Sequence, residues 1–273
     1  GIDIALIRHP FRIEDRTWLR RKRVLFIDVH CHIDDQVFDE DRDEVVKKAR
    51  DLVILNAGVD PASNRKTLEI AERYGNVKAC LGLHPEYIAK FSDELIDKEI
   101  AWIRSNSKRI FAISEIGLDY YWVKDEDQRA RQKKLFRRML GLADELNLPV
   151  ITHSRDAADD TLNIISTYPR LRTILHGFSD PDNRGLPVSV APNIYRNKAK
   201  QRQVTALPLE ALLTETDSPL LGISPKERNE PANVAKVIEK IAELKKVDRD
   251  QVIAAVWENA RKLLGDSILS PTS

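Results

Sequence analysis

Hydrophobic positions along this chain fall into short blocks that alternate with longer amphipathic stretches. Apolar, β-rich runs occupy 24–29, 52–57, 77–83, 110–116, 149–153, 172–176, 187–191 and 211–216. Each is too short for an ordinary helix and reads as a buried strand. Helical spacing marks 41–50, 62–74, 93–106, 126–147, 156–167, 196–206, 231–246 and 249–264. In 126–147, Leu135, Met139, Leu142, Ala143 and Leu146 recur on one face, Asp125 can cap the start, and Pro149 blocks continuation. In the last stretch, Asp248 or Asp250 can cap the start and Gly265 the end.

Eight strand–helix alternations predict an α/β protein whose parallel sheet closes into a (β/α)8 TIM-like barrel over 24–265. Residues 1–23, with Phe11, Ile13, Trp18 and Leu19 among arginines, are expected to pack on or near the barrel, and 266–273 form a tail. Two connections strain this scheme. Arg50 and Asp51 leave almost no loop before the second run. Between His176 and Pro187 there is no room for the usual crossover helix, and Pro181 and Gly185 interrupt the segment. Either the barrel is irregular between strands six and seven, or residues are missing there.

A length of 273 residues suits one such barrel, and 42% hydrophobic residues suffice for its core. Charged residues make up 32%, yet the net charge is only +1, so any nucleic acid would be held by a local site rather than a global basic field. No apolar stretch approaches the roughly 20 residues that span a bilayer. Two cysteines, Cys31 and Cys80, cannot make a disulfide framework and suit a reducing, cytoplasmic setting. No secretory signal pattern opens the sequence.

Chemistry concentrates where apolar runs end. The run Phe26-Ile27-Asp28-Val29-His30-Cys31-His32 puts Asp28, His30 and His32 on one strand face, and paired imidazoles suit a divalent first-row metal. Cys31 points the other way and is expected as a packed thiol. Glu115 ends the run Ile110-Phe111-Ala112-Ile113, where a buried carboxylate needs a partner. His153 and His176 each close an apolar run, and Asp217 ends the last one before Pro219. Taken singly, each could be a satisfied core residue or an ordinary ion pair. Together, at five strand ends, they make a metal site.

These motifs resemble the TatD family of metal-dependent deoxyribonucleases, within the amidohydrolase superfamily. The resemblance rests on DVHCHID (28–34), GLHP (82–85), EIGLDYY (115–121), LPVITHSRD (148–156), ILHGFS (174–179), ETDSP (215–219) and NEP (229–231), in that order. It implies that His30 and His32 hold one divalent ion with Asp217 beside them, that Glu115 bridges, and that His153 and His176 hold a second ion. It also implies catalysis by Asp217 and Glu115, with a metal-activated water attacking phosphorus and Asp217 as general base. His84, Arg155 and Tyr121 are the expected substrate contacts, and Asp119 is expected to order its loop. Mg2+ or Mn2+ would serve activity, although the nitrogen-rich ligands favour Zn2+ or Ni2+ on affinity. The leading expectation is a DNase, a 3′–5′ exonuclease acting on single-stranded DNA or 3′ ends, with no membrane partner. The alternatives are an ester or amide hydrolase, such as a D-aminoacyl-tRNA deacylase, and a non-catalytic metal-stabilised binding module. The module fits poorly, since structural metal sites are usually closed and cysteine-rich.

Overall fold

A computed structural model describes residues 26–269. The arm expected at 1–23, the first residues of the run at 24–29 and the end of the tail lie outside the described residues. Eight strands form one sheet in sequence order: β1 (Phe26–Cys31), β2 (Leu52–Ala57), β3 (Val77–Leu81), β4 (Ala112–Asp119), β5 (Val150–Arg155), β6 (Thr173–Leu175), β7 (Val188–Val190) and β8 (Leu212–Thr214). Every adjacent pair is parallel. The helices between and after them are α1 (Arg42–Lys48), α2 (Pro61–Arg73), α3 (Asp93–Ser105), α4 (Glu126–Leu146), α5 (Ala158–Ile165), α6 (Lys198–Ala206), α7 (Val234–Lys245) and α8 (Arg249–Leu264). The strands are covered on both faces, which is why they are continuous apolar runs: β2 is buried along its whole length. The expected (β/α)8 barrel is therefore the observed one.

The barrel closes beyond the end of β8. The Asp217 N–H donates to the His30 carbonyl at 2.8 Å and the His32 N–H to the Ser218 carbonyl at 2.8 Å. Asp28 reinforces this seam, accepting from the Thr216 N–H at 2.9 Å and its hydroxyl at 2.5 Å. Asp28 thus turns to the closing strand instead of joining the histidines with which it shares a sequence pattern.

Local chemistry explains the element ends. The Asp125 side chain accepts from the Gln128 N–H at 2.9 Å at the start of α4, and Asn147 ends that helix in a left-handed conformation. Of the two caps expected for α8, Asp248 takes the role, in a capping box with Gln251. The helix expected from 231 opens instead as a 3-10 turn, Pro231–Asn233, before α7. Residues beyond 265 are not simply a tail, because Asp266–Leu269 forms a 3-10 turn and Ile268 is buried.

Both uncomfortable connections are real. Helix α1 is only seven residues long, and the Leu52 N–H donates to the Ala49 carbonyl at 2.9 Å, so one tight turn suffices. Between β6 and β7 the barrel is irregular: no helix intervenes, yet Leu175 and Val188 pair in parallel. Side chains of helix α6 hold this loop. The Lys200 ammonium donates to the Phe178 carbonyl, and the Gln203 side-chain amide donates to the Asp180 carbonyl at 2.7 Å.

Candidate metal centre

Glu115 does not end its strand, as the apolar run suggested; it is the extra residue of a bulge inside β4. Ser114 pairs with Ile151 and Ile116 with Thr152, leaving Glu115 unpaired at φ 54°. A non-glycine residue in this region is uncommon and recurs at functional sites. The bulge redirects the carboxylate into the barrel mouth. Gly117 lets β4 run close against β5: a Cβ there would meet the His153 carbonyl oxygen at 1.9 Å. Asp217, also at φ 54°, turns into the same space from beyond β8.

Five imidazoles surround these carboxylates. His30 Nε2 lies 3.6 Å from both Glu115 Oε1 and Asp217 Oδ1. His32 Nε2 lies 3.8 Å from Glu115 Oε2 and 3.4 Å from Asp217 Oδ1. His153 Nδ1 and His176 Nε2 lie 3.5 and 3.7 Å from Glu115 Oε1, and His84 Nε2 lies 4.0 Å from Glu115 Oε2. Most of these spacings are long for hydrogen bonds. They suit two ligands sharing one cation, which at bonds of about 2.1 Å and tetrahedral angles stand about 3.4 Å apart. His30 Nε2 is buried with no hydrogen-bond partner, a costly state that a cation would relieve.

The outward ring nitrogens set the tautomers. His32 Nδ1 donates to the Ala57 carbonyl at 2.8 Å, and His176 Nδ1 to Glu215 at 2.8 Å, so in the neutral rings both Nε2 atoms turn a lone pair to the centre. His153 donates through Nε2 to Asp119 at 2.9 Å, leaving Nδ1 facing Glu115. Such oriented imidazoles are the usual metal-ligand arrangement. His84 is different. Its Nδ1 accepts from the Glu86 N–H at 3.1 Å, so in the neutral ring the proton sits on Nε2, directed inward. His84 is therefore built as a donor. Of the triads with donor atoms in metal-binding range, His30–His32–Asp217 and His30–Glu115–His176 offer lone pairs from neutral rings; in His84–Asp119–His153 the His153 Nε2 is already bonded to Asp119 and the His84 Nδ1 to the Glu86 N–H.

Burial would raise the Glu115 carboxyl, but the surrounding imidazoles, His30 foremost, hold it well below the usual range. Burial and the adjacent His176 ring push His30 far down. For His32 the carboxylates of Asp217 and Glu115 outweigh burial and lift it to about 10; for His176, Glu215 and Asp217 outweigh burial and lift it to about 9. Burial and His153 lower His84 to about 3, which keeps it neutral. Without a cation, protons on these rings balance the carboxylates; a cation would displace them.

The sequence-predicted residues His30, His32, Glu115, His153, His176 and Asp217 thus meet in one cluster, with His84 at its edge. Arg155 and Tyr121 stand outside it: the Arg155 guanidinium lies 3.7 Å over the Tyr121 ring. Beside them a cavity of about 840 Å3 opens between residues 154–160 and 177–181. Asp119 orders its turn as expected and also orients His153. Sequence reasoning passed over Glu215, which orients His176 and accepts from the Ser189 hydroxyl at 2.5 Å; its place at the end of the apolar run, two residues before Asp217, was the available signal.

The chain is 34% identical over 264 residues to the deoxyribonuclease TATDN3 of Homo sapiens, spanning 90% of this chain and 96% of the relative. It is also 34% identical to a metal-dependent hydrolase of Methanocaldococcus jannaschii, spanning 88% and 96%. A 3′-5′ ssDNA/RNA exonuclease TatD of Erwinia amylovora is 30% identical, with 87% and 99% covered. The crystal structure of the TatD homologue YJJV of Escherichia coli superposes with a TM-score of 0.81 at 29% identity, covering 89% of this chain and 98% of that one. Among the described residues no helix is long and apolar enough to cross a membrane. The sequence pattern of the TatD-related DNase family matches residues 27–265, so the chain belongs to that family of metal-dependent hydrolases.

Proposed function

We propose that this chain is a deoxyribonuclease that shortens single-stranded DNA from the 3′ end at a two-cation centre. The observation that carries the reading is the buried, unpartnered Nε2 of His30, set among carboxylates and oriented imidazoles at ligand-to-ligand spacing. His30 and His32 with Asp217 would hold one divalent cation, His153 and His176 the other, and Glu115 would reach both. Bound there, such cations supply Lewis acidity and lower the pKa of a water. The residues themselves do the rest. Asp217, at the mouth and 3.4 Å from His32 Nε2, receives the proton of the attacking water. His84 Nε2–H donates to a phosphate oxygen, a role that its fixed tautomer and neutral ring favour. Asp119 and Glu215 keep His153 and His176 turned inward. The names of the human and Erwinia relatives support DNA as substrate and the 3′ polarity.

The test is a screen of Mg2+, Mn2+, Zn2+ and Ni2+ against 5′-labelled single-stranded DNA, duplex DNA, RNA and aminoacyl-tRNA. The expected result is a ladder shortening from the 3′ end of single-stranded DNA, abolished by EDTA and restored by Mg2+ or Mn2+. A rate indifferent to chelator would sink the metal mechanism. Internal nicks without a ladder would sink the exonuclease polarity, and turnover confined to aminoacyl-tRNA would sink the DNase reading.

A further inference from the structure

The exposed aromatic residues among the described ones are neighbours, Tyr121 at 43% and Trp122 at 58% exposure. Their rings meet edge to face, centroids 4.8 Å apart. The Arg155 guanidinium lies 3.7 Å over the Tyr121 ring and 5.6 Å from the Trp122 ring centroid. Isolated exposed hydrophobics need no explanation. This pair differs because its backbone is tied to the metal centre. Asp119 Oδ1 accepts from the N–H groups of Tyr121 and Trp122 at 3.0 and 2.9 Å, while its Oδ2 accepts from His153. His153 in turn faces Glu115 at 3.5 Å. One carboxylate thus fixes both the aromatic turn and an imidazole of the centre.

Resting on the nuclease reading above, we propose that Trp122, buttressed edge to face by Tyr121 and with Arg155 stacked on the Tyr121 ring, seats an unpaired nucleobase of a nucleotide flanking the scissile phosphodiester. The exposed Trp122 ring offers a π face that accepts any base, and stacking there is sequence-tolerant. Charge favours this occupant. Among the described residues the Arg155 guanidinium forms no ion pair and no hydrogen bond, so its edge can donate to phosphate while its face stays stacked. Lys124 adds a second cation 5.6 Å from the Tyr121 ring. In a duplex each base is covered by its neighbours, so the platform selects unpaired strands. Trp122 is thereby a specificity residue, one that the expected list of His84, Arg155 and Tyr121 did not contain.

Binding is read first, by anisotropy of a labelled oligothymidylate in EDTA, so that the platform is tested whether or not the chain cleaves. Trp122→Ala should weaken single-strand affinity about 5- to 100-fold, and Trp122→Phe, which keeps a π face, should retain most of it. Affinity for a duplex should not change. Cleavage is then read on oligonucleotides carrying one abasic residue at successive positions. The wild type should lose kcat/KM at one position relative to the cut, and Trp122→Ala should be indifferent to that lesion. Unchanged single-strand binding by Trp122→Ala overturns the platform even if the wild type digests DNA. Trp122-dependent binding without hydrolysis of any polynucleotide leaves the platform standing and overturns the nuclease reading.

Discussion

Every imidazole of the candidate centre has a nitrogen within 4.0 Å of the Glu115 carboxylate, and Glu115 reaches this place only because β4 bulges there. Its charge, more than its shape, holds the cluster together. Glu115→Gln keeps the shape and removes the charge. It should lower kcat/KM by more than about a hundredfold, the upper cost of losing a group that merely orients a ligand. Metal content measured on the purified variant should fall while the circular dichroism spectrum is retained. A variant with wild-type metal content and rate would show that Glu115 bridges nothing. At this scale much was legible in the chain: the residues at the ends of apolar runs do converge. What was not legible depends on register. The bulge that releases Glu115 and the turn of Asp28 toward Thr216 follow from which residue lies opposite which, and a single strand's alternation does not carry that information; the inward Nε2–H of His84 comes instead from a local turn in which its Nδ1 caps the Glu86 N–H.

Among the elements, the connection from β6 to β7 carries the clearest prediction. It lacks a helix, and Lys200 on α6 is left to satisfy the Phe178 carbonyl from a position only 1% exposed. Burial lowers this ammonium from 10.5 to about 8, against a partial opposing pull from Glu215. The sign follows by linkage. Between about pH 8 and 10.5 the unfolded chain holds the Lys200 proton and the folded chain does not, so this group makes stability rise with pH across that window. Below pH 8 its full penalty is present. The rise is on the order of 3 kcal/mol. Lys200→Met should flatten it, seen as urea midpoints of variant and wild type that converge or cross between pH 7.5 and 10. Parallel curves would mean that Lys200 does not titrate there. The anomaly itself was visible in the sequence, because Pro181 and Gly185 leave no room for a helix. The device that compensates it was not, since nothing in the spacing of 196–206 marks Lys200 as the buried face.

For the molecule as a whole, barrel closure and assembly of the centre are one event. The seam joins β1 to the segment after β8, nearly two hundred residues later, and the same short stretches carry His30, His32 and Asp217. Asp28 accepts from the His30 N–H at 3.2 Å and from Thr216 at 2.9 and 2.5 Å. Removing it strands these three buried donors, at about 1–3 kcal/mol each, and so costs about 3 kcal/mol or more. At about 2–4 °C per kcal/mol for a chain of this class, Asp28→Ala should melt roughly 10 °C or more below the wild type. Cations that bind only the folded barrel add about 2.7 kcal/mol when present at a hundred times their Kd, so EDTA should lower the wild-type Tm by several degrees. The two effects should not add. If the seam presents the ligands, Asp28→Ala will bind cations poorly and its Tm will respond little to EDTA. A variant that melts early yet shows the full wild-type response to chelator would separate closure from the centre.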